Sequence, residues 1–190
     1  MRSANDTHTT PPRANWGFVY AHPAHWLGLG FGSGLAPKAP GTAGTLCGWV
    51  LFVAAQYLLP ANWLSGVAGG ALVGASIALG WWVCTVSARN LNLPDPGCIV
   101  WDEIAAFWLV LWLLTPDAEQ LFGLAHWGWQ IAAFVLFRYF DAVKPQPVRW
   151  ADTVFKGKGW RGGWGIMFDD LVAAACTLLV LALVRFFIGQ

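Results

Sequence analysis

Charged side chains are scarce in this sequence. Only 11% of its 190 residues are Asp, Glu, Lys or Arg, whereas the average soluble domain has about 25%. With 57% hydrophobic residues and a net charge of +1, the chain lacks both a large soluble surface and the basic excess of a nucleic-acid-binding protein. The composition predicts an all-α fold, a polytopic bundle of helices in a lipid bilayer.

The sequence also has no closely spaced pairs of cysteines. The four cysteines are isolated from one another in apolar stretches, so the sequence lacks the paired spacing of a zinc site or of a disulfide framework. The first fifteen residues lack the apolar core of a signal peptide. We therefore expect reduced thiols, a disordered cytosolic tail over residues 1–21 and a single membrane domain over residues 22–190.

Five apolar segments have lengths close to that of a membrane-spanning helix, which needs about 20 residues. They cover residues 42–59, 63–86, 99–114, 121–139 and 171–188. Ten of the eleven Lys and Arg residues lie on one side of these segments, and only Arg185 lies on the other. Because basic residues stay preferentially in the cytoplasm, we predict that the N-terminus and the polar loops face the cytosol.

Most acidic residues lie on that same side. Asp95 precedes the third segment, and the adjacent pair Asp102 and Glu103 lies at its start. Adjacent carboxylates that lose water are hard to ionise unless a cation holds them, and an oxygen-rich site without His or Cys suits Mg²⁺. The alternative is that these acids stabilise a helix N-terminus.

A loop rich in glycine and hydroxyl side chains covers residues 28–45 and opens into the first membrane segment. Backbone amides exposed by glycine, followed by a helix N-terminus, favour anion binding. The candidate phosphate ligands in this loop are Ser33, Gly34, Thr42 and Thr45. The alternative is that Thr42 is an ordinary N-cap and that the glycines allow close helix packing. The loop lacks the Gly-Lys-Ser/Thr ending of a Walker motif.

Two further motifs lie at the cytosolic ends of the fourth and fifth segments. Arg138 and Asp141 are three residues apart and share a helical face, and Lys144 follows just before a proline that ends the helix. This motif offers a carboxylate for a metal beside two cations for a phosphate, or else a plain salt bridge with basic anchors. A stretch rich in glycine, predicted to be a flexible loop, then leads to Asp169 and Asp170 at the start of the fifth segment.

Four stretches of the sequence, in this order, resemble the phosphatidylglycerophosphatase A family. They are residues 30–45, 99–103, 137–150 and 162–170. The resemblance implies a Mg²⁺-dependent hydrolase of the bacterial inner membrane, which removes the terminal phosphate of phosphatidylglycerophosphate and yields phosphatidylglycerol. Two departures from the family pattern are Thr45, where Ser is expected, and a longer basic loop from Phe155 to Arg161.

The predicted reaction is attack on a phosphomonoester by a water that Mg²⁺ binds or orients, with Arg138, Lys144 and the glycine loop neutralising the phosphoryl charge. The predicted metal ligands are Asp102, Glu103, Asp141 and Asp170. A general base is expected among the catalytic candidates Asp95, Asp102, Glu103, Asp141, Asp169 and Asp170.

Two other functions compete with this hypothesis. Acids at membrane helices also mark ion pathways, as in a divalent-cation transporter, and an anionic-lipid-binding protein would need no catalysis. A transporter predicts acids at mid-bilayer or on both faces, whereas no acid lies at the centre of a segment. The sequence also lacks the Asp-x-Asp start and the histidine motifs of phosphatases that form a covalent phosphoenzyme, which disfavours those mechanisms.

Overall fold

The computed structural model describes residues 14–60, 63–115 and 124–188, and within these ranges the chain is helical with connecting turns and has no β-strand. The described helices are α1 (Trp16–Ala21), α2 (Pro23–Gly28), α3 (Pro40–Leu58), α4 (Gly66–Leu91), α5 (Trp101–Leu114), α6 (Leu124–Val143), α7 (Val148–Val154) and α8 (Gly159–Ile188), with a 3-10 segment at Gly30–Leu35. The predicted all-α fold is confirmed.

Three of these helices are long and apolar enough to cross a membrane. They are α3 with 19 residues, α4 with 26 and α8 with 30, where about 20 residues span the hydrocarbon core. The structure has a helix at each of the five predicted positions, but α5 and α6 are not among the three. With only 14 residues, α5 is short for a span.

The short helix α5 lies between the long ones and packs against α3, α4, α6 and α8. Four successive residues of α5 are fully buried: Ile104, Ala105, Ala106 and Phe107. A helix that is apolar on every side is expected where other helices surround it. Because α5 is enclosed by protein, Asp102 and Glu103 in its first turn are held inside the bundle.

Glycines allow this close packing of helices. A Cβ added to Gly48 of α3 would press against Ile104 of α5, and one added to Gly163 of α8 would collide with Thr85 of α4. The prediction of a flexible glycine loop before Asp169 is therefore wrong. That stretch is part of α8, which begins at Gly159 rather than at residue 171, and its Gly163 lets α8 approach α4.

Part of the N-terminal segment that was predicted to be disordered is folded. Residues 1–13 lie outside the described residues, but Trp16–Ala21 forms α1. The side chain of Asn15 accepts a hydrogen bond from the Phe18 N–H at 3.0 Å, and the His22 ring accepts one from the Ala24 N–H at 3.0 Å. These two caps satisfy backbone donors that would otherwise be unpaired at the starts of α1 and α2.

Candidate active site

The acids predicted to form a site meet at one end of the bundle. Glu103 lies in the first turn of α5, Asp141 lies near the end of α6 and Asp170 lies inside α8. Because α5 and α6 both pack against α8, residues far apart in the sequence come together here.

The carboxylates of Glu103, Asp141 and Asp170 form a tight group, which we call the carboxylate triad. One oxygen from each residue lies within 4.8 Å of the other two, and the three residues are only 9%, 8% and 3% exposed. Carboxylates at this separation repel one another strongly where water is excluded. A cation among them would remove the repulsion, and an all-oxygen ligand set suits Mg²⁺.

Arg138 supplies part of the compensating charge. Its guanidinium forms ion pairs with Asp141, about one turn further along α6, and with Glu103, where Nη1 lies 3.4 Å from Oε1. The same Nη1 donates a hydrogen bond to the hydroxyl of Thr45 on α3 at 3.2 Å. One guanidinium among three carboxylates leaves an excess of negative charge when the acids are ionised.

Several buried polar atoms at this end of the bundle lack a hydrogen-bond partner within the described ranges. They include Oδ1 of Asp102, Oε2 of Glu103 and Nε of Arg138. Leaving a buried polar atom unpaired is costly, so such an atom calls for a ligand, an ion or a water. The unpaired Oε2 of Glu103 therefore fits a metal-binding role. Asp102, the fourth predicted ligand, lies outside the carboxylate triad.

The first turns of α3 close over the triad. A Cβ added to Gly41 would collide with Oε1 of Glu103 and would crowd the guanidinium of Arg138. One turn further along α3, Thr45 donates its hydroxyl hydrogen to the Gly41 carbonyl at 2.9 Å while it accepts from Arg138. The part of the glycine-rich stretch that meets the acids is thus its helical end, residues 41–45.

The earlier part of the predicted phosphate loop makes its contacts elsewhere. Ser33 donates its hydroxyl hydrogen to the Gly30 carbonyl at 2.8 Å, and a Cβ added to Gly34 would collide with the Cys98 carbonyl. Thr42 lies in the first turn of α3 and is partly exposed. These contacts join Ser33 and Gly34 to neighbouring turns, so their predicted role in phosphate binding stays a prediction.

A second group of charges, the lysine network, lies beside the triad. The Lys144 ammonium donates hydrogen bonds to Asp169 at 2.5 Å and to Asp152 at 2.8 Å, and Lys156 pairs with Asp152 at 2.7 Å. Burial disfavours the charge on Lys144, but its two hydrogen bonds outweigh burial and raise the pKa of Lys144 above its ordinary value. Burial also opposes ionisation of Asp152, yet hydrogen bonds from both lysines lower the pKa of Asp152.

The lysine network borders a cavity of about 220 Å³. Its lining includes four charged residues, Asp95, Asp152, Lys156 and Asp169. The structure thus brings the predicted acids Asp95 and Asp169 to one surface. From the sequence, Asp152 was grouped with the acids of the cytosolic face but was given no role, and Lys156 was not predicted as a site residue. Their spacing of four residues is a signal that could have indicated the pair.

Known proteins resemble this chain over nearly its whole length. A model of the phosphatidylglycerophosphatase A family matches residues 26–185. The chain is 37% identical to phosphatidylglycerophosphatase A of Escherichia coli strain K12 over 90% of this chain and 86% of that protein. It is 36% identical to the protein of the same name from Haemophilus influenzae over 87% of this chain and 90% of that protein.

A third relative, from Bacteroides thetaiotaomicron, is 37% identical over 86% of this chain and 94% of its own length, and its name is "Putative phosphatidylinositol-3-phosphatase". No solved structure matches the chain. The family match includes every residue of the carboxylate triad and of the lysine network. By this match and by its identity to two curated members, the chain belongs to the phosphatidylglycerophosphatase A family.

Proposed function

We propose that this chain is a Mg²⁺-dependent lipid phosphatase that hydrolyses the terminal phosphomonoester of phosphatidylglycerophosphate to phosphatidylglycerol and inorganic phosphate, a step of bacterial phospholipid biosynthesis. The names of the relatives from Escherichia coli and Haemophilus influenzae support this substrate. The observation that carries the proposal is the buried carboxylate triad, a set of oxygen ligands crowded at one end of a membrane helix bundle.

The proposed metal ligands are the triad residues Glu103, Asp141 and Asp170, joined by Asp102. The unpaired buried oxygens of Glu103 and Asp102 support this assignment. When bound, Mg²⁺ would polarise the phosphoryl oxygens and lower the pKa of the attacking water.

The cations of the two groups are proposed to bind and orient the phosphate. Arg138 is fixed by Asp141, Glu103 and Thr45, so its donors are preorganised beside the triad. Lys144 uses two of its three N–H donors on Asp152 and Asp169. Its side chain is 31% exposed, which leaves the third donor free to reach a phosphate oxygen.

A proton acceptor for the attacking water is proposed among the acids that are not proposed as metal ligands. These are Asp95 and Asp169, which both line the cavity beside the lysine network. Asp169 is stabilised as a carboxylate by its hydrogen bond from Lys144. Triad residues that ligate a metal are poor bases because the metal withdraws their electron density.

One substrate other than phosphatidylglycerophosphate is supported by a specific observation. The relative from Bacteroides thetaiotaomicron is named for phosphatidylinositol-3-phosphatase activity, and that substrate is also a lipid phosphomonoester. The charges of the site suit either lipid. A transporter is less well supported, because every acid within the described ranges lies at the same end of the bundle as the triad; Asp117 and Glu119 lie outside those ranges.

The test is phosphate release by the purified full-length protein in mixed micelles. Phosphatidylglycerophosphate and phosphatidylinositol 3-phosphate are supplied separately, each with Mg²⁺ and with EDTA. We expect release from phosphatidylglycerophosphate with Mg²⁺ and none in EDTA. Release from the inositol lipid alone would reassign the substrate, and full activity in EDTA would refute the metal assignment.

We also propose that the chain resides in the bacterial inner membrane with the triad facing the cytosol, which the one-sided distribution of basic residues supports. Orientation can be tested with cysteines placed in loops on opposite sides of the membrane. Asn62 and Glu119 lie outside the described residues, whereas Pro60 and Lys38 are both exposed. In a cysteine-free background, an impermeant thiol reagent added to cells should label Pro60→Cys and spare Lys38→Cys. The reverse pattern would invert the proposed orientation.

A further inference from the structure

A second cavity, which the proposed reaction does not use, lies at the same end of the bundle. It has a volume of about 370 Å³ and lies between the end of α4 and the start of α8. Two basic side chains contribute to its wall, Arg89 from the last turn of α4 and Lys158 from the turn before α8, together with the amide side chain of Asn92. We call it the basic cavity.

The basic cavity adjoins the cavity of the lysine network. Three residues line both cavities: Pro94, Gly157 and Gly162. The cavity of the lysine network also reaches Asp169. Along α8, Gly163 of the basic cavity is seven residues before Asp170 of the triad, which corresponds to about 10 Å at the rise of an α-helix. A head group with two charged ends can therefore extend from one cavity to the other.

In the part of the chain that the structure describes, the cations of the basic cavity differ from their neighbours in forming neither a salt bridge nor a side-chain hydrogen bond. Lys156 pairs with Asp152 at 2.7 Å, and Arg161 donates to the Val154 carbonyl at 3.2 Å. Within the described ranges, neither Arg89 nor Lys158 forms a salt bridge with a carboxylate. Two unpaired cations and an amide on one concave surface favour an anionic ligand.

We propose that the basic cavity binds the phosphodiester group of the lipid substrate through Arg89 and Lys158, while the terminal phosphate lies at the carboxylate triad. This inference rests on the proposed function, since phosphatidylglycerophosphate carries two phosphates joined by a glycerol unit. The cavity then holds the lipid by the part that is not hydrolysed, and the product phosphatidylglycerol retains the group that it recognises.

Binding of the product tests the cavity without requiring catalysis. Phosphatidylglycerol, diacylglycerol and inorganic phosphate are titrated separately into the full-length protein in detergent micelles. Arg89→Gln and Lys158→Gln should each weaken phosphatidylglycerol binding by about fivefold, the size expected of a partly exposed charged contact. Binding of diacylglycerol, which lacks the phosphodiester, and of inorganic phosphate should not change.

The matched control is Arg149→Gln, which removes one exposed cation from the same side of the protein without touching the basic cavity. It should bind phosphatidylglycerol like the wild type. An equal loss in Arg149→Gln, or no loss in the double variant of Arg89 and Lys158, would overturn the proposal. Equal weakening of inorganic phosphate would instead identify a site for free phosphate, and would also overturn it.

Kinetics then separate the substrate from other anionic lipids. On phosphatidylglycerophosphate, both variants should raise KM by about fivefold and retain kcat, because the contact is the same before and during reaction. Weakened phosphatidylglycerol binding with an unchanged KM would mean that the cavity holds a neighbouring bilayer lipid, and would refute the substrate assignment. Absence of any hydrolysis by the wild type would refute the proposed function but leave the binding result standing.

Discussion

The carboxylate triad and the lysine network lie side by side but differ in their balance of charge. In the triad, Glu103 and Asp141 share Arg138. Within the described ranges, Asp170 forms no salt bridge and Oε2 of Glu103 lacks a hydrogen-bond partner. In the lysine network, two lysines meet two aspartates, and each aspartate has at least one hydrogen bond from an ammonium. The network is neutralised by its own side chains, whereas the triad has charge left for an ion.

This difference distinguishes two kinds of acid in an apolar protein: acids that the chain's own cations neutralise and acids that need an external cation. Acids of the lysine network can be ionised and stable without any ligand, because their partners belong to the chain. Ionised triad acids need an external cation, because repulsion among them is strong in a dry environment. Variants of the two groups should therefore respond differently to Mg²⁺.

The largest effect is expected in the triad. Asp170→Asn should reduce turnover of phosphatidylglycerophosphate by at least about 100-fold, because it removes a ligand and the electrostatic stabilisation that depends on it. Glu103→Gln and Asp141→Asn should behave similarly. The measurement is phosphate release at saturating Mg²⁺, with helical content by circular dichroism as the check that the variants are folded.

Thermal unfolding gives a readout of the same site without catalysis. In EDTA, Asp170→Asn should have a Tm at or above that of the wild type, because it removes one of three repelling charges. Mg²⁺ should raise the Tm of the wild type, since a ligand that binds only the folded state stabilises it, and should raise that of the variant much less. Equal Mg²⁺ responses would contradict a triad metal site.

A smaller effect is expected when Lys144 is removed from the lysine network. Lys144→Ala leaves Asp169 with one fewer cation in a largely buried position, so it should destabilise the fold by about 1–2 kcal/mol and lower kcat/KM by roughly tenfold or more. The stabilising effect of Mg²⁺ should be retained, in contrast to the triad variants. Loss of the Mg²⁺ response in Lys144→Ala would show that the two groups act as one.

Arg138→Lys tests geometry at constant charge. The planar guanidinium contacts Glu103, Asp141 and Thr45 at once, which a single ammonium cannot reproduce. We expect kcat/KM to fall by roughly fivefold while the Tm changes little. Wild-type kinetics in this variant would mean that Arg138 contributes only its charge.

The smallest effect is expected for Lys156→Ala. Its ion pair with Asp152 is on an exposed side chain, and Asp152 keeps Lys144 as a partner. Such a pair contributes about 0.5 kcal/mol or less, so stability by urea unfolding and kcat/KM should stay within about twofold of wild type. A tenfold loss of activity would place Lys156 in the substrate-binding machinery.

Much of the fold was predictable because it follows from local composition. The long apolar segments predicted helices at the positions of α3, α4, α5, α6 and α8. The start of α8 was mispredicted because glycine is a poor helix former when judged alone. In the folded chain, the closeness of α4 and α8 at Gly163 and Thr85 compensates for this low propensity.

The candidate site was predictable in its residue types and only partly in its grouping. Three of the four predicted metal ligands share the triad, and Asp102 lies outside it. Thr45 accepts a hydrogen bond from Arg138, whereas the Ser33 hydroxyl donates to the Gly30 carbonyl within its own turn. Which residues of a loop reach a site depends on how the loop packs, and that is not encoded in residue spacing.

By itself, the sequence determined that the chain is apolar and helical, and that most of its acids and cations lie at one end of its helices. Only the tertiary structure decided how those charges are divided. Asp169 and Asp170 are adjacent, but successive residues on a helix point about 100° apart. Packing of α8 against α5 and α6 turns Asp170 to the triad, while Asp169 meets Lys144. The roles of two adjacent, identical side chains therefore come from the direction in which the packed helix points them.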